Sequence, residues 1–387
     1  MTALKNRNLS ASPRPEPRWL RERRAAAWQR FRKMTDPDFE LGQGIAFDPS
    51  KIRLPYASRV ASGQKPLIRS GIGGADMAAL QRVLEAFPVD ELDRVWSWHE
   101  ATASNLRIID SSKDRMAIQP IRLETKLKAG GTEQETVVVS AAPGSELVII
   151  EHVSGNGDRV AATLVDAAAN AKVTLISIRD LGRQSTEFVR RDARVGRGAQ
   201  VVWLDCVLGG SFTTSSVTNR LAGRGARAVA RTIFCGGDNA GFEIAQTALH
   251  QAGSTSSDLL ARGVLDGAAR SIYRGRISVG RGCQGCEAHQ KEDTLLLGER
   301  AESSAVPVLE IEADDIDCGH GCTVGRLDRD QLFYLMSRGL DARAATKLLV
   351  DGFFQPIISG MQRYGLEEMV SCLIAGRLAP EQPQPCL

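Results

Sequence analysis

Five turns of one kind punctuate the middle of the chain: Val195-Gly-Arg-Gly-Ala199, Leu221-Ala-Gly-Arg-Gly-Ala226, Leu265-Asp-Gly-Ala268, Val279-Gly-Arg-Gly-Cys283 and Leu297-Gly-Glu-Arg-Ala301. Around them lie short β-type runs such as Thr136-Val-Val-Val139, Leu147-Val-Ile-Ile150, Val173-Thr-Leu-Ile-Ser-Ile178 and Gln200-Val-Val-Trp-Leu204. The turn spacing is irregular, about 14 to 44 residues, but the recurrence points to stacked β coils. One coil cannot bury its apolar face alone, whereas a stack makes a continuous core. A doubly wound α/β fold would need helices of about ten or more residues between the strands, and almost none can be read between 106 and 325. A β-sandwich is the competing arrangement. It gives no reason for one turn to recur, so the sequence favours a mainly β, β-helix-like solenoid.

Helical parts flank this core. The spacing of Trp19, Leu20, Ala25, Trp28 and Phe31 predicts an amphipathic helix from Glu16 to about Met34. A second helical patch spans about Ala75 to Phe87, with Met77, Leu80, Val83 and Leu84 on one side, and 89–99 closes the N-terminal part. After the core, Asp328 followed by Gln331 reads as a helix start, with Leu332, Leu335 and Met336 as its apolar side and Gly339 as its end. Asp341 starts a second helix, and a last one follows Pro356, near Leu366 to Ile374. The expected division is therefore 1–105, a tail and helical region; 106–326, the β core; and 327–387, a second helical region.

Charge narrows the function classes. Lys plus Arg at 49 against Asp plus Glu at 46 leaves a formal charge of +3, without a basic stripe for nucleic acid. The run Arg18-Trp-Leu-Arg-Glu-Arg-Arg24 is read as a solvated helix face in preference to a nucleic-acid or membrane contact. No stretch of eighteen apolar residues occurs, so no transmembrane helix is expected. Residues 1–15 lack the apolar core of a secretory signal, which makes the cytoplasm the expected location. In that reducing compartment the eight cysteines are read as buried small residues, metal ligands or redox groups, not a disulfide framework.

Neither a Gly-x-x-x-x-Gly-Lys-Ser/Thr phosphate loop nor a Gly-x-Ser-x-Gly nucleophile elbow is present, so no ATP site and no serine hydrolase are expected. The chemistry-bearing stretch is Cys318-Gly-His320-Gly-Cys322-Thr-Val-Gly325, preceded by Glu310, Glu312, Asp314 and Asp315. Thiolate and imidazole bind zinc, copper and iron–sulfur units. On a strand, Cys318, His320 and Cys322 would share one face, giving a ligand triplet or half of a site completed by a second subunit. Cys283-Gln-Gly-Cys286 with Cys318 and Cys322 would make a zinc ribbon, although the second pair lacks the two-residue knuckle spacing. The bland alternative makes Cys283 and Cys286 small core residues.

Several segments together resemble the SufB/SufD family of SUF iron–sulfur cluster assembly. They are Gly275-Arg-Ile-Ser-Val279, Ala288-His-Gln290, Leu295-Leu-Leu297, Pro307-Val-Leu-Glu-Ile311, the Cys318–Gly325 stretch, Asp330-Gln-Leu-Phe-Tyr-Leu335 and Ser337-Arg-Gly339. His250 with its Ser/Thr run and Gly263-Val-Leu-Asp-Gly267 extend the resemblance over about 130 to 355. It implies a right-handed parallel β-helix that pairs with a SufB-type paralogue or a second copy. It also implies terminal helices that dock the SufC ATPase, and a transient iron–sulfur cluster built at the paired interface with sulfur from a cysteine desulfurase. His320 and Cys318 occupy the histidine and cysteine positions of the SufD-type motif. Cys322 replaces its usual alanine, and Gly321 stands where SufB-type members carry an acidic ligand. Glu292 stands where those members carry a cluster cysteine, a carboxylate able to bind iron but not persulfide sulfur.

The leading reading is thus a non-enzymatic, SufD-like scaffold subunit with Cys318 and His320 as ligands and Glu292 and Cys322 as further candidates. The alternative is a zinc-stabilised solenoid serving only as an interaction platform. A third reading, an enzyme built on Glu310, Glu312, Asp314 and Asp315, has the least support.

Overall fold

The computed structural model describes residues 17–36, 54–55, 67–70, 77–103, 105–111 and 119–378. The expected polar tails and most of the 38–73 connection lie outside them. Helices α1 (Arg18–Lys33), α2 (Met77–Glu85) and α3 (Arg94–Thr102), with the short strand β1 (Leu67–Ser70), precede the core. The core strands are β2 (Asn105–Asp110), β3 (Ile121–Leu127), β4 (Thr132–Ala141), β5 (Glu146–Gly155), β6 (Asp158–Ala167), β7 (Lys172–Leu181), β8 (Thr186–Val195) and β9 (Gln200–Gly209). They continue as β10 (Phe212–Leu221), β11 (Arg227–Gly236), β12 (Gly241–His250), β13 (Ser256–Leu265), β14 (Arg270–Val279), β15 (Cys286–Leu296), β16 (Glu302–Ile311) and β17 (Ile316–Arg326). Helices α4 (Arg329–Ser337), α5 (Ala342–Ile358) and α6 (Glu367–Leu378) follow.

From β2 onward the strands alternate between two wholly parallel sheets, one ordered β1-β2-β4-β6-β8-β10-β12-β14-β16, the other β17-β15-β13-β11-β9-β7-β5-β3. Each coil therefore contributes one strand to each sheet, and the chain is a two-sheeted β-solenoid. The recurrent turns form its corners. At one corner Asn170, Gly198 and Gly225 all adopt positive φ, and the Asn170 and Gly198 amides donate to Arg197 O and Arg224 O in the next coil. Glycine is favoured there because a β-carbon is penalised in the left-handed region, and a small polar residue such as Asn170, or Ser254 farther along the same corner, is the next best choice. The following alanines, Ala171, Ala199 and Ala226, stack into the core. The spacing of the five turns is irregular because they belong to both corners of the coil, three following strands of one sheet and two following strands of the other.

The space between the sheets is apolar along one side, from Val137 and Leu147 through Val173, Val201 and Trp203 to Ile277 and Ala288. Along its middle lies a chain of ion pairs. Arg159 binds Glu187 at 3.1 Å, Glu135 at 3.3 Å and Glu151; Arg179 binds Glu187 at 3.0 Å and Asp205 at 3.1 Å; Arg191 binds Glu151 at 2.9 Å and Asp205. Arg107, on Glu135 at 2.5 Å, completes four arginines against four carboxylates. Burial pushes the Glu151 carboxyl up, but Arg159 and Arg191 outweigh it and hold the group well below the usual carboxylate range.

The outer face of the β1–β16 sheet is covered by the N-terminal helices through Leu80, Val83, Leu84 and Phe87 against Ile108, Val138 and Leu164. The basic run in α1 is solvated at Arg18, Arg21 and Glu22, but its last two arginines, with Arg30 beyond them, turn to the neighbouring helices. Arg23 donates to the carbonyls of Leu84 and Phe87, Arg24 to Ala101 and Ala103, and Arg30 to Leu92, so three arginines satisfy orphan carbonyls near helix ends. The expected stripe on this helix is corrected accordingly: Leu20 and Ala27 are its buried residues, while Ala25 and Trp28 are exposed.

On the opposite sheet, Val350, Phe354, Ile357, Met361, Val370 and Ile374 of the C-terminal region pack on Ile176, Ile178, Leu204 and Ile233. Asp328 and Asp341 cap α4 and α5 as the sequence indicates, accepting from Asp330 and Gln331 and from Ala344. The last helix starts at Glu367, within a residue of the expected start, and α5 before it runs through Pro356, held by the packing of Phe354 and Ile357 on the sheet. One expectation fails. The apolar side of α4 faces no core; none of its residues is buried, and Phe333 is 73% exposed.

Helix α3 joins the solenoid at His99, buried with Nε2 3.0 Å from Thr136 Oγ1. Burial, against the opposing effect of Glu100, lowers its pKa to about 4. The unfolded chain therefore takes up this proton first as pH falls from about 6.5, and stability present above 6.5 is lost toward 4. Denaturant titration should show His99→Gln removing an acid destabilisation of about 2 kcal/mol at pH 5. An unchanged difference between pH 7 and 5 would refute the assignment.

Candidate functional site

Among the described residues strand β17 is the last of its sheet and pairs only with β15, so none of them closes the far edge of its backbone. The register places Cys318 beside Ala288, His320 beside Gln290 and Cys322 beside Glu292. Ala288, Gln290 and Glu292 are all buried, whereas Glu287, His289 and Lys291 between them are exposed. Cys318, His320 and Cys322 therefore share the register of the inner columns but lie at the end of the stack. Among the described residues no further coil covers them: Cys318 is half-buried and His320 and Cys322 are exposed.

The shared face expected from the sequence is thus present, but convergence is not. Alternate residues on a strand lie roughly 6.5–7 Å apart, too far for all three side chains to reach one ion at about 2.0–2.3 Å. Among the described residues no group of three or more His, Cys, Asp and Glu is arranged to hold a metal ion. The zinc-ribbon reading meets the same obstacle. Cys283 and Cys286 are buried in the apolar core, with Cys318 packed against it, while Cys322 lies four residues farther along the strand. Cys286 Sγ is engaged by Thr255 Oγ1 at 3.2 Å, and Thr255 in turn by His250 Nδ1 at 2.7 Å. His250 also meets Ser257 Oγ at 2.9 Å, which ties the resemblance's His–Ser/Thr segment into the wall. Glu310, Glu312, Asp314 and Asp315 are exposed at the last coil, Glu310 paired with Arg276 at 2.6 Å.

Behind the row sits a polar floor, of which the sequence singles out Glu292 but not the neighbouring Gln290 and Tyr273. Glu292 is fully buried, and among the described residues its Oε2 has no hydrogen-bond partner; neither Oε1 nor Nε2 of the buried Gln290 has one there. The Gln290 amide lies over Gly275, where a β-carbon would come within 2.0 Å of Nε2. Tyr273 donates to Gln246 at 3.1 Å, and Gln246 to Thr232 at 2.9 Å, extending the polar column inward. Its signal in the sequence was positional: Asp205, Thr232, Ala261, Glu292 and Cys322 occupy one column through successive coils.

Electrostatics favour protonated ligands in the isolated chain. Burial, then Cys286 and Asp317, raise the Cys318 thiol. Burial, then Glu292 and Asp293, push Cys322 up to about 11. Glu292 is pushed up to about 7 by burial, partly offset by Thr294. A carboxyl raised above its unfolded value stabilises below about pH 4.5 and loses that contribution as pH rises through 7. Glu292→Gln should therefore raise stability by about 2–3 kcal/mol at pH 8 and leave it nearly unchanged at pH 4, as urea melts would report. Equal effects at both pH values would show that the carboxyl is already ionised in the fold.

No helix among the described residues is long and apolar enough to cross a membrane. The chain matches the family model described as SUF system FeS cluster assembly, SufBD core domain, over residues 125–353. Among curated relatives, an iron–sulfur cluster assembly SufBD family protein of Mycobacterium leprae is 32% identical over 199 residues, 51% of this chain and 23% of that protein. The iron–sulfur cluster assembly protein SufD of Bacillus subtilis is 31% identical over 206 residues, covering 53% and 47%, and SufD of Escherichia coli 29% over 241 residues, covering 61% and 57%. The alignments thus span about a quarter to somewhat over half of the relatives' lengths. With more than half of the chain under the family model and a two-sheeted solenoid beneath it, the chain belongs to the SufB/SufD family of the SUF iron–sulfur cluster assembly system.

Proposed function

We propose that the chain is a SufD-like subunit of the SUF scaffold, non-enzymatic itself and working in the cytoplasm. Its open solenoid end pairs with a SufB-type chain or with a second copy, and a nascent iron–sulfur cluster is the cargo assembled there. Cys318 and His320 are its ligands in this reading, with Glu292 and Cys322 in support. The observation that carries it is the row of soft donors on an unpaired parallel edge, too widely spaced to close a site alone. An open edge of this kind is a template for strand addition.

The exposed Phe333, Tyr334 and Met336 of α4 support docking of a SufC-type ATPase on about residues 328–375, and sulfur reaches the site from a cysteine desulfurase. The motor lies in the partner, consistent with a sequence that holds no phosphate loop. Anaerobic co-expression with the candidate ATPase and a SufB-type chain, followed by native mass measurement, tests the reading. A complex containing the ATPase together with paired solenoids is expected. A monomer that binds neither would overturn it. The zinc-platform alternative predicts one tightly held zinc per chain, and the buried position of Cys283 and Cys286 away from Cys322 argues against it.

A further inference from the structure

The last coil leaves apolar side chains of the inner columns uncovered: among the described residues Ile311 is 40% exposed and Val324 42%. A solenoid end of that kind calls for a cap. Of its two edges, one is better suited to accept a strand. Glu302 and Glu287 donate their amides back to Ala269 and Thr255 of the preceding coil, so in these parallel strands the residues that alternate with them turn N–H and C=O outward. On β16 the outward set includes Pro307, which has no N–H to offer. On β17, in register with Ala288, Gln290, Glu292 and Thr294, it is Cys318, His320, Cys322 and Val324, with no donor missing.

A second copy of β17 fits this edge. About a two-fold axis the two strands run antiparallel, and outward residues stand opposite outward residues with Cα atoms ~5.5 Å apart. The backbone permits axes at Gly319, His320, Gly321 or Cys322, and the side chains choose among them. An axis at Gly319 sets Ile316 against Cys322, and one at Cys322 sets Cys318 against Arg326. An axis at Gly321 sets Ile316 against Arg326 and Asp314 against Asp328. Only the axis at His320 joins apolar to apolar, Ile316 to Val324, and thiol to thiol, Cys318 to Cys322. It also brings the exposed Asp314, just ahead of the strand, beside Arg326, whose guanidinium is steadied by the carbonyls of Gly298 at 3.2 Å and Glu299 at 3.1 Å.

We propose that the chain pairs with a second copy of itself by antiparallel addition of β17 to β17 about an axis at His320, so that Cys318 of each copy faces Cys322 of the other. Two thiols opposed on one face at ~5.5 Å can close on one soft ion, which alternate residues of a single strand cannot. Two dithiol pairs then flank two imidazoles, and Cys322 becomes a full member of the set. The pairing deepens the scaffold reading and rests on it for the identity of the cargo.

The test uses the full chain alone, free of metal. Sedimentation equilibrium should find a dimer. Asp314→Arg and Arg326→Asp should each weaken it about tenfold or more, and both substitutions in one chain should restore it to within about threefold of the parent. Diamide should cross-link an equimolar mixture of Cys318→Ser and Cys322→Ser chains, since ~5.5 Å between Cα atoms suits a disulfide, and should cross-link neither variant by itself. The proposal is overturned by a monomer, by a dimer indifferent to the charge substitutions, by a mixture that does not cross-link, or by single variants that cross-link as readily as the mixture. A chain that is monomeric alone yet joins a SufB-type chain and the ATPase on co-expression leaves the scaffold reading standing without self-pairing. A dimer with the expected cross-link that recruits no ATPase supports self-pairing and counts against the scaffold reading.

Discussion

Replacing Arg179 by methionine should cost about 3–5 kcal/mol of folding stability, the range for breaking a buried ion pair from one side. Arg179 is fully buried between the sheets, with Glu187, Asp205 and Ser215 on its guanidinium at 2.9–3.1 Å. Burial alone would lower its affinity for the proton, but Asp205 and Glu187 reverse that, so it is charged in the fold. Methionine fills much of the volume but leaves the four-against-four balance of the network one positive charge short. A carboxylate is then left with too little compensation in a space that water does not reach. The double substitution Arg179→Met with Glu187→Met should recover part of the loss, because it restores neutrality. Chemical denaturation of the two variants decides the matter. A single variant within about 0.5 kcal/mol of the parent, the range of an ordinary surface change, would mean that the network is solvated.

The second large effect concerns function. Cys318→Ser and His320→Ala should each abolish cluster maturation on the scaffold, read as the loss of visible absorbance after anaerobic reconstitution and of activity in a client iron–sulfur enzyme. Their effect on folding should be small. His320 is exposed on the last strand, and its removal is expected to stay within about 0.5 kcal/mol. Cys318 is half-buried against the core and serine is nearly its size, so a loss of about 1 kcal/mol is the ceiling expected. Since burial and Cys286 raise the Cys318 thiol, metal binding must displace a proton, and reconstitution should improve as pH rises. Normal maturation in both variants would remove these residues from the site.

The solenoid was legible because its corners repeat a backbone requirement. A left-handed position followed by a small residue is written into Gly198-Ala199 and Gly225-Ala226, and no neighbour in space is needed to read it. The shared face of Cys318, His320 and Cys322 was legible for a similar reason, since strand alternation is local. What could not be read was which side of each strand meets water. In a two-sheeted solenoid with helices on both outer faces, Arg159, Arg179 and Arg191 look like residues of a solvated face. Their pairing with Glu151, Glu187 and Asp205 depends on contacts across coils and across the lumen. Gln290 escaped notice too, because its role comes from standing behind His320 one coil earlier. The arginines of α1 misled in the opposite sense: a charged helix face turned out to hold the ends of two other helices.

The one-dimensional stacking of coils carries a consequence for where motion resides. An interior strand such as β9 is flanked by β7 and β11, whereas β17 leans on β15 alone. In a solenoid whose stability is the sum of nearest-neighbour terms, the coil with a single neighbour frays first. The soft donors therefore sit on one of the two end coils, where the β framework breathes more readily than in its interior, and whatever binds there also clamps it. Ligand capture and rigidification of the last coil become one event, so occupancy would be communicated down the stack as a loss of fluctuation, without any displacement of the coils beneath.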